Sequence, residues 1–167
     1  MIDSEEEKMS PRSLTKSVIR QVPLLGAGDR VADAAAALVS TDLPALPVVD
    51  SHGGLLGIFG ELELIEALFP GYLGELKSAA FVSASIEDVI EKRLECRFDR
   101  VSEHTNTEHI AAGPDHSDTQ LAETFLHHGV SIIPIVDGDS VLGVVTRSEF
   151  LRGLVERFLA RVDDTAS

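Results

Sequence analysis

The chain has 167 residues, 44% of them hydrophobic, a formal net charge of −14 and one cysteine, Cys96. That length and apolar content suffice for one core-bearing unit or for two small halves packed intimately together. The acidic balance without a basic run argues against a nucleic-acid partner, a lone cysteine excludes an intrachain disulfide, and no apolar run has signal-peptide or membrane length, so no membrane association and a cytoplasmic location are expected.

Residues 1–16 are charged and aperiodic, the composition of a flexible tail. Residues 17–25 read as an extended entry segment, followed by Gly26-Ala-Gly28 and by Asp29 as the N-cap of a short helix. On that Ala-rich helix Val31, Ala34, Ala35, Leu38 and Val39 share one face, and Asp42-Leu-Pro44 ends it. A strand over 46–49, a turn over 50–54, a strand over 55–59 and a helix over 62–69 complete a first unit, 17–69.

Pro70-Gly71 opens a helical connector, 70–100, in which Tyr72, Leu73, Leu76, Ala79 and Ala80 have the spacing of a short helix. Ser85-Ile-Glu-Asp88 has the form of a capping box, and the helix it starts runs to about Cys96 with Ile86, Val89, Ile90 and Leu94 as a face suited to covering a core. A second unit, 101–161, follows with an entry strand over 108–112 and a turn at Gly113-Pro114-Asp115. Its helix over 118–128 turns Leu121, Ala122, Phe125 and Leu126 inward and stops at Gly129. Strands over 132–136 and 141–145 lead to a helix over 149–159, and 162–167 read as a tail.

The two units repeat each other. Leu46-Pro-Val-Val-Asp50, a turn, Leu55-Leu-Gly-Ile-Phe59 and Gly60-Glu-Leu-Glu63 are echoed by Ile133-Pro-Ile-Val-Asp137, a turn, Val141-Leu-Gly-Val-Val145 and Thr146-Arg-Ser-Glu149. The step from Gly57 to Glu63 equals that from Gly143 to Glu149, so an internal duplication organises the chain. In the second copy a buried strand runs directly into a helix start bearing a hydroxyl, a guanidinium and a carboxylate. Thr146 at that junction is either a helix cap or part of an anion-binding turn, since free N–H groups and the positive dipole end lie beyond it.

This layout, with Leu46-Pro-Val-Val-Asp50 and Leu56-Gly-Ile58 matched by His128-Gly-Val-Ser-Ile-Ile-Pro-Ile-Val-Asp137 and Leu142-Gly-Val-Val-Thr146, resembles a tandem CBS-domain module of the small stand-alone bacterial type. The resemblance implies an α/β (α+β) fold of two β-α-β-β-α units packed as a pseudo-twofold pair, associating into a homodimer. It also implies a regulatory function in which an adenosine nucleotide of the AMP, ADP or ATP class binds between the units as a signal, with no cofactor in the catalytic sense. By the same resemblance Thr146 and Glu149 would hold phosphate and ribose, with Glu149 standing where Asp is usual, and Arg147 would reach a phosphate. The base would lie against Ile110, Ala112, Ser131, Ile132, Ile133 and Pro134. In the first copy Gly60 replaces the hydroxyl and Glu63 the Asp, so the site formed with Ala45 and Leu46 is degenerate.

Two other readings remain open. An enzyme or metal site built on His52, His104, His109, His116, His127 and His128 is disfavoured by their spacing, by the adjacency of His127 and His128, and by the absence of a nucleophile motif. A ligand-free module for dimerisation or for an unidentified protein partner is favoured by the degenerate first site and by the apolar faces of Phe150, Leu151, Leu154, Val155, Phe158 and Leu159 and of the helix over 62–69.

Overall fold

The computed structural model describes residues 13–69 and 85–165. The expected tail over 1–12, the connector segment over 70–84 with Tyr72 to Ala80, and residues 166–167 lie outside the described residues.

Helix α1 (Leu14–Val18) opens the described chain, and strand β1 (Leu25–Gly26), helix α2 (Val31–Thr41), strands β2 (Ala45–Val49) and β3 (Leu55–Gly60) and helix α3 (Glu61–Leu68) form the first unit. Helix α4 (Ile86–Lys92) and the 3₁₀ turns Leu94–Phe98 and Val101–Glu103 lead to the second. It comprises α5 (Asp118–His128), β4 (Ile132–Asp137), β5 (Ser140–Thr146) and the long α6 (Arg147–Thr165). In the first sheet β1 runs parallel to β2 and β2 antiparallel to β3; β4 and β5 form the second, antiparallel sheet. The register shifts between Val48 and Val49 in one sheet and between Ile135 and Val136 in the other, so the duplication extends to the position of the irregularity.

Each sheet carries its own core. Leu46, Val48 and Phe59 pack against Val31, Ala34 and Leu38 of α2 in the first, and Ile133, Ile135 and Val145 pack against Leu121 and Phe125 of α5 in the second. A third cluster of Ala45, Ile132 and Val144, with Val22 and Ile58 against it, joins the two sheets.

The join is made by exchanged entry segments. Arg20 N–H and C=O pair with Val144 of β5 at 2.9 Å each, and Asn106 pairs likewise with Ile58 of β3, at 2.9 and 3.1 Å. Each unit is therefore extended by the segment that precedes the other. Glycines allow the close approach: a Cβ on Gly143 would stand 2.6 Å from the Arg20 carbonyl oxygen, and one on Gly57 would stand 2.3 Å from that of Asn106. This explains why both repeats hold Gly at the same position.

Several expectations are corrected. Residues 14–18 are helical rather than tail or extended strand, and the last helix continues through the expected tail to Thr165. Asp29 does not cap α2; its carboxylate accepts the Gly26 N–H at 2.8 Å, and Arg30 stands at the cap without a side-chain bond. Residues 108–112 form no strand, only a single parallel bridge from Ala112 to Ile135. Val39 and Leu126, placed inward by periodicity, are 83% and 77% exposed, because each helix is covered on a narrower stripe than its apolar pattern allows. Phe150 is instead buried, its ring 5.5 Å from that of Phe125. Helix α4 buries none of its residues, and Ile86, Ile90 and Leu94 are exposed rather than covering the core.

Helix α1 exists because Asp118 holds its first turn. The Asp118 carboxylate accepts the Ser13 and Thr15 hydroxyls at 2.9 and 2.6 Å and the Leu14 and Thr15 N–H groups at 2.7 Å each. Partial burial pushes its pKa up, but these four bonds outweigh that effect and bring it from 3.8 down to about 2. A folded-state pKa below the unfolded value means stabilisation that is present above pH 3.8 and lost as pH falls toward 2. Asp118→Asn is expected to cost about 1–2 kcal/mol at pH 7, discounted for a side chain about a third exposed. In urea unfolding, the gap between parent and variant should close near pH 2; a gap that persists there would refute this account.

Candidate functional site

The chemistry gathers where β5 becomes α6. Thr146 is the last residue of β5, paired with Ile132, and is buried at 5% exposure. Its Oγ1 accepts the Glu149 N–H and donates to Glu149 Oε2, both at 3.2 Å, while the Arg147 N–H bonds the Ser131 carbonyl at 2.9 Å. Thr146 is thus a helix cap whose hydroxyl also fixes the Glu149 carboxylate. The other carboxylate oxygen, Oε1, lies 3.6 Å from Arg20 Nη1, and Arg20 Nη2 donates to the Thr41 carbonyl at 3.2 Å.

These groups border a cavity of about 540 Å³. Arg20, Ser131, Thr146, Arg147, Ser148, Glu149 and Arg152 line it, opposite Asp42, Leu43, Pro44 and Glu61. The volume is in the range of small-molecule sites. Three guanidiniums and three carboxylates face it, and among the described residues neither Arg147 nor Arg152 has an ion-pair partner.

Of the candidates from the sequence, Ser131, Thr146, Arg147 and Glu149 come together there. Ile110, Ala112, Ile132, Ile133 and Pro134 do not. Ile132 belongs to the cluster between the sheets, Ala112 and Ile133 to the second core, and Pro134 is fully buried, while Ile110 is partly buried away from the cavity. The main chain of Ala112 has no free valence either: its N–H donates to Pro134 and its C=O accepts from Val136. Apolar β-branched residues beside a site and in a core look alike in sequence.

Arg20, Arg152, Asp42, Pro44 and Glu61 were not foreseen. Arg152 had a local signal, standing three residues after Glu149 on one helix face. Arg20 had none, since only the exchange of entry segments brings it to Glu149.

The corresponding place in the first unit is built differently. Glu63 Oε2 accepts the Gly60 N–H at 2.9 Å, so the carboxylate folds back on its own helix. A Cβ on Gly60 would lie 2.2 Å from the Pro44 carbonyl oxygen and 2.5 Å from the Ala45 Cβ, leaving no room for a hydroxyl-bearing residue. Ala45 and Leu46 are core residues. Glu63 instead borders a cavity of about 340 Å³ with Glu66, Ala67, Arg93, Glu103, His104 and Thr105. Three carboxylates stand there against one guanidinium, which already donates to the Ala67 carbonyl at 3.2 and 2.9 Å. That balance repels an anion.

The model of the CBS domain matches this chain twice, over residues 15–70 and 101–156. The chain belongs to the CBS-domain family. Solved CBS structures share its fold. The AcuB protein of Vibrio cholerae aligns with a TM-score of 0.68 at 18% identity, over 90% of this chain and 96% of its own. The CBS domain pair of MJ0100, in complex with 5′-methylthioadenosine and S-adenosyl-L-methionine, gives 0.65 at 21%, over 88% and 99%. CBSX2, in complex with AMP, gives 0.62 at 16%, over 86% and 96%. The pseudo-twofold pair of CBS units implied by the repeat is therefore the fold of this chain. Among its described residues no three His, Cys, Asp or Glu side chains gather in a metal-holding group.

The closed Gly60 position gives a direct test of this CBS pair's asymmetry. Gly60→Thr, which restores the repeat's hydroxyl, is expected to destabilise the protein by about 1–3 kcal/mol through overpacking against Pro44 and Ala45. Thr146→Val should cost about 1 kcal/mol through loss of the cap alone. Chemical denaturation of the two variants checks the order; a Gly60→Thr variant as stable as the parent would refute it.

Proposed function

We propose that this chain is a regulatory ligand-sensing module that binds an adenosine nucleotide in the cleft of its second CBS unit and catalyses no reaction on it. The observation that carries this reading is the buried Thr146 hydroxyl fixing Glu149 at the edge of a cavity of about 540 Å³ that both units line. Glu149 is the acceptor for ribose hydroxyls, and Arg147, at the first turn of α6, faces the phosphate. The AMP in the CBSX2 structure and the adenosine-type ligands in the MJ0100 structure support the ligand class. A cytoplasmic location belongs to the same reading, and among the described residues no helix is long and apolar enough to cross a membrane.

The module is read as a homodimer. On α6 the side chains of Leu151, Leu154, Val155, Phe158 and Leu159 are exposed, and on α3 those of Leu62 and Ile65. A contiguous apolar stripe along a 19-residue helix is costly to leave in water. These faces also favour the competing reading, in which the fold serves only dimerisation or a protein partner and holds no small molecule.

Thermal melting with and without AMP, ADP and ATP separates the two, since ligand at about 100 times its dissociation constant adds roughly 2.7 kcal/mol to stability. In titration calorimetry, Glu149→Ala is expected to weaken nucleotide binding about ten- to a hundred-fold, because a hydrogen bond to a charged group contributes roughly 1.5–3 kcal/mol. Glu63→Ala should leave binding unchanged. A parent protein that binds no adenine nucleotide would pass the case to the interaction-module reading. For the dimer, light scattering at micromolar concentration should give twice the 17.9 kDa chain mass; a monomer would sink that part.

A further inference from the structure

Arg20 stands in the cleft with its charge already engaged. Its guanidinium reaches Glu149 at 3.6 Å and the Thr41 carbonyl at 3.2 Å, so it bridges the last turn of α2 in the first unit and the first turn of α6 in the second. It does so from a segment whose main chain is locked to β5 through Val144, which fixes where the side chain starts. The side chain is 44% exposed, so it is not packed in place and can swing. Its counterpart in the first unit, Asn106, pairs with Ile58 in the same way but carries no charge, and Glu63 there folds back on Gly60. The bridging guanidinium is therefore peculiar to the cleft that holds the hydroxyl.

We propose that Arg20 is a specificity-determining latch: its guanidinium pairs with Glu149, and on binding it exchanges that carboxylate for the ligand's phosphate, so that the site selects phosphorylated over unphosphorylated nucleosides. This rests on the reading that the cleft takes an adenosine ligand. A ribose that hydrogen-bonds Glu149 must compete with Arg20 for the same oxygens. An uncharged adenosine displaces the guanidinium and offers it nothing, which leaves a cation without its partner beside Arg147 and Arg152. A nucleotide displaces it and supplies a dianion within the same cavity, where Arg20, Arg147 and Arg152 converge from two segments of chain. The Arg20 contact with Thr41 is subject to the same exchange, so occupancy of the second unit is felt at the end of the first unit's helix.

The test is titration calorimetry of the full chain with AMP and with adenosine, for the parent and for Arg20→Gln and Arg20→Lys. The parent is expected to prefer AMP. In Arg20→Gln, AMP binding should weaken about ten- to a hundred-fold, the range for loss of a charge-assisted bond, while adenosine binding is unchanged or tighter because Glu149 is no longer occupied. Arg20→Lys keeps the charge but not the fork and should fall between. A residue that merely supported the fold would weaken both ligands together and leave their ratio unchanged. An Arg20→Gln protein with the parent's ratio of AMP to adenosine affinity overturns the latch and leaves the nucleotide reading standing; a parent that binds neither ligand overturns both. Should Arg20→Gln fail to fold, the Arg20→Lys ratio decides: a value equal to the parent's refutes the proposal, and a lowered preference for AMP supports it.

Discussion

The exchange of entry segments is the constraint on which the rest of the molecule depends. Arg20, from before β1, bridges the free edge of β5, and Asn106, from the entry to the second unit, bridges the free edge of β3, so the edge of each sheet is capped by the entry segment of the other half. The main-chain bonds of Arg20 with Val144 and of Asn106 with Ile58, those of Ala27, Asp29 and Val31 with Ser102, Val101 and Asp99, the Asp118 grip on α1 and the small cluster of Ala45, Ile132 and Val144 hold the halves together. Each half has a modest core, and a unit of that size buries too small a fraction of its surface to be more than marginally stable by itself. Because the exchange happens at the strand that leads into each helix, it also decides what faces each helix start. The Thr146 turn is bordered by residues of both units for this reason, and a molecule bound there touches both.

A duplicated frame need not give duplicated sites. The two turns share backbone bonds: Arg147 N–H to the Ser131 carbonyl in one, Glu61 N–H to the Pro44 carbonyl in the other. What differs is a few side chains. Thr146 against Gly60 decides whether a hydroxyl is present, and the absence of a Cβ at Gly60 lets Pro44 and Ala45 close onto it. Arg20 against Asn106 decides whether a cation crosses the join. The first-unit cavity carries mainly carboxylates, and the second an even balance in which Arg147 and Arg152 have no ion-pair partner among the described residues. On a chain of net charge −14 such local balance is what an anionic ligand would require.

How far the sequence could be read follows from which forces act locally. The repeat, the four strands of the two hairpins, the Gly129 stop in the left-handed region and the Thr146 turn all announce themselves within a few residues, through alternation, turn chemistry and spacing. Helix α1 did not, because its first turn is held by Asp118, about a hundred residues away. The entry to the second unit, Glu108-His-Ile-Ala-Ala112, is not a strand: a short apolar run such as Ile110-Ala-Ala112 signals burial as readily as extension, and Ala112 makes only one bridge. Leu126 and Val39 misled in the opposite way: periodicity says which residues share a face but not how much of that face a neighbour covers. In the site, the residues adjacent in sequence were legible and those delivered by the exchange were not.

The magnitude of the proposed latch bears on what such a module can transmit. Arg20 and Glu149 are partly exposed, at 44% and 29% for their side chains, and an ion pair in that setting contributes about 0.2–1 kcal/mol. A ligand shifts a conformational balance only by its difference in affinity for the two states, so breaking this pair and the Thr41 contact supplies a coupling near the lower end of the usual 1–3 kcal/mol. One chain acting alone would then be a weak switch. Two chains joined along α6 would add their contributions wherever the same rearrangement is shared, because α6 carries Glu149 on its first turn and the exposed apolar stripe along its length. On the proposed reading, the helix that would carry the ligand's contact is also the helix whose apolar stripe would meet a second copy, so the apolar face and the cleft would be parts of one device rather than rival explanations of the fold.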